Sequence, residues 1–268
     1  MNHLLRELAP ITEAAWSEID GEASRAVREV LAARRLLDVV GPKGWGHAAE
    51  STGRTRHLGA FRGDVDARLR AVQPLVELRI PFAVARAEVE AIERGACDAD
   101  FDAVRLAARD AAVAEDTAVF HGFEGAGITG VVPASPHDPV VIDDDYERYP
   151  SFVATAMARL RLAGVGGPYA IALGPRCYTG VIEQSEMGGY PVLEHLRLIL
   201  GGPVVFAPGV DGAVVLSQRG GDAEIVIGQD FSIGYSSHDD DVVRLYLQES
   251  LTARVCAGEA FIHLRYEG

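Results

Sequence analysis

The chain has 268 residues, 48% hydrophobic and 24% charged, which is the balance of a folded globular protein rather than a disordered one. Its formal net charge of −14 argues against a nucleic-acid backbone as a general partner. Cys97, Cys177 and Cys256 stand far apart with no CxxC pair, so neither a disulfide framework nor a zinc site is indicated.

The opening run MNHLLRELAPITEAAW has no basic region followed by an apolar block, and no apolar run reaches the length of a membrane span. The expectation is a cytoplasmic chain with no membrane partner. Residues 12–37 predict one long helix, with Thr12 as N-cap and Ala15, Trp16, Ile19, Ala23, Val27, Val30 and Leu31 at helical spacing. Residues 41–64 are rich in Gly, Thr, His and Arg and bury little, so this segment is either mobile or laid against another subunit. Lys43, within it, is the only lysine and Asn2 the only asparagine. Residues 74–84 alternate as a strand that Pro81 confines to an edge or a bend. Helices follow at Arg86–Arg94, closed by Gly95, and at Asp100–Phe120, an alanine-rich spine about 30 Å long.

After a Gly/Pro-rich loop at 122–139, a helix is expected at Ser151–Ala163 with Ser151 as its cap. Tyr169–Leu173 reads as a strand, Pro175–Glu183 and Pro191–Leu200 as proline-opened helices, and Val204–Ala207 and Ala213–Leu216 as short strands. In 220–249, Ala223, Ile225 and Ile227 alternate with Glu224 and Val226. Gly228 breaks that run, residues 229–235 follow with two more turn-permissive positions, and a second strand starts with Val243, Leu245 and Leu247 after the acidic turn His238–Asp241. The pattern as a whole is α+β.

No catalytic constellation emerges. Gly125–Gly130 matches GxGxxG but follows a helix rather than a strand, so it reads as a loop. Asp143–Asp145 and Asp239–Asp241 lack the spacing of a calcium loop and read as solvated turns. There is no GxSxG elbow, and Cys177 lies in an apolar pattern that favours packing over reactivity. Trp16 reads as a core anchor, whereas Trp45 is either a loop anchor or a stacking site.

Several stretches together resemble the encapsulin shell proteins, a family that also carries linocin-type bacteriocin and culture-filtrate-antigen names. They are Leu4–Trp16, Ala33–Trp45, Pro74–Arg79, Leu162–Tyr169 and Gly220–Glu249, in matching order almost end to end. The resemblance implies the major-capsid fold of tailed phages, of the Hong Kong 97 type. It divides the chain into an N-terminal helix and the start of the peripheral domain (1–43), an extended loop (44–74), the peripheral domain with its spine helix (75–135), an axial domain (136–219) and the peripheral C-terminal strands (220–268). It implies a hollow icosahedral homo-oligomer, in the smallest case of about sixty subunits, with no catalysis of its own. Its partner would be a cargo enzyme, a dye-decolourising peroxidase or a ferritin-like protein, captured through a C-terminal peptide. By position, the cargo groove falls to Val27, Leu31, Arg34, Asp38, Asp230, Ile233 and Tyr235, whose bland alternative is helix-to-hairpin packing. The five-fold pore loop falls to Glu183, Ser185, Glu186, Met187, Gly188, Gly189 and Tyr190, where Glu183 or Glu186 would form a carboxylate ring.

Two departures from the pattern limit the resemblance. With one lysine and one asparagine, covalent chain-mail between subunits is not expected. Ala87 stands where some relatives carry a flavin-associated tryptophan, so no cofactor is expected, and no metal. Two other classes remain beside the shell: a prophage capsid protein packaging DNA, and a secreted bacteriocin or hydrolase.

Overall fold

The computed structural model describes residues 3–186 and 189–267. Thr12 caps α1 (Glu13–Val30), its side-chain oxygen accepting from the Ala15 N–H at 3.4 Å. The helix expected to reach residue 37 stops at Val30, because Leu31 turns extended before a short α2 (Ala33–Leu36). The break is held from outside. Both carboxylate oxygens of buried Asp116 accept backbone N–H groups, from Ala32 at 2.9 Å and Ala33 at 2.8 Å. Those donors would otherwise be orphaned at the start of α2.

There follow β1 (Asp38–Val40), β2 (Ala49–Arg62), β3 (Val65–Pro74), β4 (Val76–Ala85), α3 (Arg86–Glu93), α4 (Asp102–Phe120) and α5 (Val131–Ala134). The poorly buried run is an antiparallel hairpin, β2 with β3, whose register shifts between Ser51 and Thr55, His57 and Gly59, and Ala60 and Arg62; it pairs with neither of the other sheets. Fourteen residues of strand reach about 45 Å. Leu58, Phe61, Val65, Leu69 and Val72 stand exposed along it, Phe61 to 81%. At its base Glu50 gathers Lys43 and His47, and the Lys43 hydrogen bond holds the Glu50 carboxyl below its ordinary value.

The chain continues through β5 (Val140–Ile142), α6 (Tyr149–Leu162), β6 (Tyr169–Leu173), α7 (Pro175–Glu183), α8 (Val192–Leu200), β7 (Val204–Phe206) and β8 (Ala213–Ser217). Ser151 is not the cap of α6. The helix begins two residues earlier with Pro150 in its first turn, where a missing N–H costs nothing. The last elements are β9 (Ala223–Ile227), β10 (Ser232–His238), β11 (Val242–Val255) and β12 (Phe261–Tyr266). Strand β12 returns to the second sheet, ordered β5-β12-β8-β6-β7, so the strands of 220–268 divide between two sheets.

Strand β11 organises the first sheet. Strand β4 runs antiparallel along one edge, while β10 and then β9 pair with the other, and β1 joins β9 in parallel. The run 229–235, read with two turn-permissive positions, is therefore strand from Ser232 onward. Gly234 is there for packing, because a Cβ at that position would meet the Tyr246 ring at 2.2 Å. The acidic turn before β11 is self-satisfied. Asp239 accepts the Asp241 and Val242 N–H groups and pairs with Arg244; the Val242 N–H above all, then Arg244 and the Asp241 N–H, hold its carboxyl down at about 2.

Two apolar clusters result. One fills the second sheet and the helices α6, α7 and α8 around it; the other packs α1 and α4 onto β10 and β11. Among the described residues no helix is long and apolar enough to cross a membrane.

Burial pushes the Asp116 carboxyl up to about 7, against the hydrogen bonds from Ala33 and Ala32 that pull it down. The native state thus binds this proton more tightly than the unfolded chain, so the Asp116 contribution to stability falls as pH rises from about 4 to about 7. Asp116→Asn should flatten that part of the thermal-stability profile. Parent and variant profiles running parallel from pH 4 to 8 would show that Asp116 does not titrate in this window.

Candidate functional site

Between α1 and the outer side of β10 lies a cavity of about 600 Å³. Its apolar wall comes from Leu4, Val27, Leu31, Ile233 and Leu247, and its rim from Arg34 and Asp230. Five of the seven groove residues named from sequence meet here: Val27, Leu31, Arg34, Asp230 and Ile233. The other two do not line it. Asp38 sits in a separate cleft of about 110 Å³, where its carboxylate accepts the Gly221 N–H at 2.7 Å. Tyr235 packs against the α1 cluster, and its hydroxyl bonds His238 Nδ1 at 2.6 Å.

Sequence reasoning missed the N-terminal half of the wall. Asp20, Ala23, Ser24 and Arg28 extend the face of Val27 and Leu31 by helical steps of three and four, so the α1 period contained that signal. Leu4 and Arg6 had no such signal, because the segment before α1 folds back over the opening. Arg6 stacks on Trp16 at 3.9 Å and pairs with Asp20 at 2.7 Å.

Arg34 is not a free anchor for a ligand. Its guanidinium bonds Glu115 with two nitrogens, at 2.8 and 2.7 Å, reaches Asp230 at 2.8 Å and contacts Glu249. Burial alone would lower the Arg34 pKa, yet hydrogen bonding to Glu115 and the charges of Glu115 and Glu249 raise it above its ordinary value. Glu249 goes the other way. Burial, reinforced by Glu115, lifts its carboxyl well above the ordinary range despite Arg34, and its Oε2 has no hydrogen-bond partner among the described residues. One cation thus serves three carboxyl groups that reach it from α4, from β11 and from the loop before β10.

Of the proposed pore residues, Glu183 ends α7, Ser185, Glu186, Gly189 and Tyr190 lie between α7 and α8, and Met187 and Gly188 lie outside the described residues. Ser185 bridges to Pro191, the Glu186 N–H donates to the Tyr190 carbonyl at 2.9 Å, and the Gly189 N–H donates to the Glu186 carbonyl at 2.9 Å. Glu186 is held by His195 Nδ1 at 2.6 Å, whereas Glu183, at the end of α7, and Tyr190 are exposed. Elsewhere, Trp45 stacks on His3 at 4.2 Å. Cys177 is fully buried, and burial pushes its thiol up, away from reactivity. Gly125–Gly130 is a loop after α4, and among the described residues no group of acidic, His and Cys side chains could hold a metal ion.

Removing the guanidinium leaves Glu115 buried without a counter-ion and Glu249 without its Arg34 donor. Arg34→Ala should therefore cost about 3–5 kcal/mol, with a lowered thermal midpoint or insoluble chain as the readout. Arg35→Ala, at an exposed position with no ion pair among the described residues, should leave the midpoint within about a degree. Equal midpoints for the two variants would mean that the buried cluster carries no stability. For the same reason, a charge reversal at Arg34 would set a fourth acid among three and damage the subunit as well as the groove.

The family model described as "Encapsulating protein for peroxidase" matches residues 1–252. The chain is 50% identical to a type 1 encapsulin shell protein of Rhodospirillum rubrum, over 99% of this chain and 97% of the other. It is 45% identical to one of Mycobacterium tuberculosis, over 99% and 100%. Among solved structures it resembles a virus-like particle from Pyrococcus furiosus, with a TM-score of 0.65, 15% identity and coverage of 92% and 97%. It also resembles the capsid of an empty GTA particle, with a TM-score of 0.53, 14% identity and coverage of 89% and 92%. These last two likenesses carry the fold, that of the Hong Kong 97-type capsid proteins. The chain belongs to the encapsulin family of shell-forming, non-enzymatic proteins.

Proposed function

We propose that identical copies of this chain close into a hollow icosahedron, in the smallest case of about sixty subunits, around a cargo enzyme. The cargo is a dye-decolourising peroxidase or a ferritin-like protein, held by its own C-terminal peptide in the groove between α1 and β10. The observation that carries this reading is the groove itself: an open apolar cavity walled by α1 and bounded by polar groups that are largely engaged with one another. Such a surface suits a short apolar peptide, and a shell with no catalysis of its own needs one.

Closure would rest on the β2–β3 arm, whose exposed apolar side chains are covered once it lies on a neighbouring subunit. The division into arm, peripheral and axial regions follows from that assembly. The turn carrying Glu183, Ser185, Glu186 and Tyr190 would ring the five-fold axis, with Glu183 the carboxylate free to face the bore.

Light scattering on a sizing column, with negative-stain imaging of the peak, tests the shell. A hollow megadalton particle is expected, and a monomer or small oligomer would overturn the reading. Co-expression with the dye-decolourising peroxidase of the same organism, and separately with a ferritin-like protein, tests the groove. Ser24→Phe, which fills the cavity from a half-buried position, should leave shells intact and exclude the cargo that the parent retains. Full cargo loading in Ser24→Phe shells would place the binding surface elsewhere.

A further inference from the structure

Among the described residues, the outer edge of β10 is covered at both ends and open in the middle. At one end the Tyr235 N–H donates to the Leu4 carbonyl at 2.8 Å. At the other, just before the strand, the Phe231 N–H donates to the Asp230 carboxylate at 2.9 Å. Along a strand the main-chain groups of alternate residues point to the same edge. Because the Tyr235 N–H points away from β11, the N–H and C=O of Ile233 point away as well, toward the cavity. Ile233 pairs across from Leu247, before the register shift that follows Tyr235, so the alternation holds between the two residues.

Ile233 is only 2% exposed, and buried main-chain donors and acceptors are nearly always paired. The lining around it does not meet this need. Val27, Leu31 and Leu247 are apolar, and Arg34 and Asp230 are bonded to each other.

We infer that the groove takes its ligand as an added β-strand: an extended apolar peptide pairs with the main chain of Ile233 on the open edge of β10 and continues the line begun by Leu4. This rests on the groove being the cargo site and adds how the peptide is read. Recognition comes from one backbone pair that fixes register, with alternate side chains directed into the cavity. A single uncovered residue also suits a shell interior, since a longer open edge would invite pairing between subunits.

The test uses assembled, empty shells and a synthetic peptide of the last twenty residues of the peroxidase or ferritin-like protein that the parent shell retains. Each residue of the peptide is N-methylated in turn. One interior position should lose at least ten-fold in affinity while its two neighbours, whose N–H groups point away from β10, stay within about two-fold. Hydrogen exchange in Phe231–Gly234 should slow on binding. Tight binding with every N-methylation tolerated, or with exchange unchanged, would overturn strand addition while leaving the groove assignment in place. An Ile233 amide already protected in empty shells would overturn it too, by showing the edge filled by the chain itself. A peptide that fails to bind parent shells would remove the groove reading, and this inference with it.

Discussion

Two adjacent acids on α4 hold α1, α2 and the first sheet in register. Glu115 and Asp116 are both fully buried, an arrangement that costs free energy unless each charge is matched. Asp116 is matched by two backbone donors at the α1–α2 break, and Glu115 by Arg34 one residue further on. The spine helix therefore dictates where α1 ends and how α2 leaves it. Through Arg34 the same group reaches Asp230 and Glu249, which ties the loop before β10 and the middle of β11 to the same point. The groove is the space left between parts fixed in this way, so its shape depends on a polar cluster rather than on apolar packing alone.

That dependence accounts for much of what could and could not be read from the chain. Elements whose periodicity is local were legible: β6, α7 and the spine helix fall at or within two residues of their expected limits. The end of α1 was not, because nothing between Val30 and Ala33 is a helix breaker. The break is imposed by a side chain more than eighty residues away. Strand β10 was hidden for a related reason. Its glycine answers to the Tyr246 ring on β11, and a glycine required by a neighbour looks in sequence like a glycine required by a turn. Strand β2 of the arm was hidden by composition, since it has almost no apolar alternation, whereas in β3 Val65, Ala67, Leu69 and Ala71 alternate with Asp66, Arg68 and Arg70, a strand signal the reading passed over.

The candidate site divides along the same line. Val27 and Leu31 follow from the helical period, and Ile233 from its place in the long C-terminal match. Asp38 and Tyr235 lie close in sequence to groove residues yet point elsewhere, because β1 turns toward Gly221 and the Tyr235 hydroxyl turns to His238. Arg34 was the instructive case. An arginine beside an apolar groove suggests a salt bridge to a ligand, but three carboxyl groups of the chain itself already surround it.

The ion pair at the base of the arm has a consequence for handling the particle. Lys43, held by Glu50, is the only lysine in the chain and remains about a third exposed. A particle assembled from such chains has one ε-amine per subunit. Exhaustive acylation of the lysines would therefore be a stoichiometric count of the chains present. A dye or ligand attached through that amine would decorate the particle at a single, regularly repeated position.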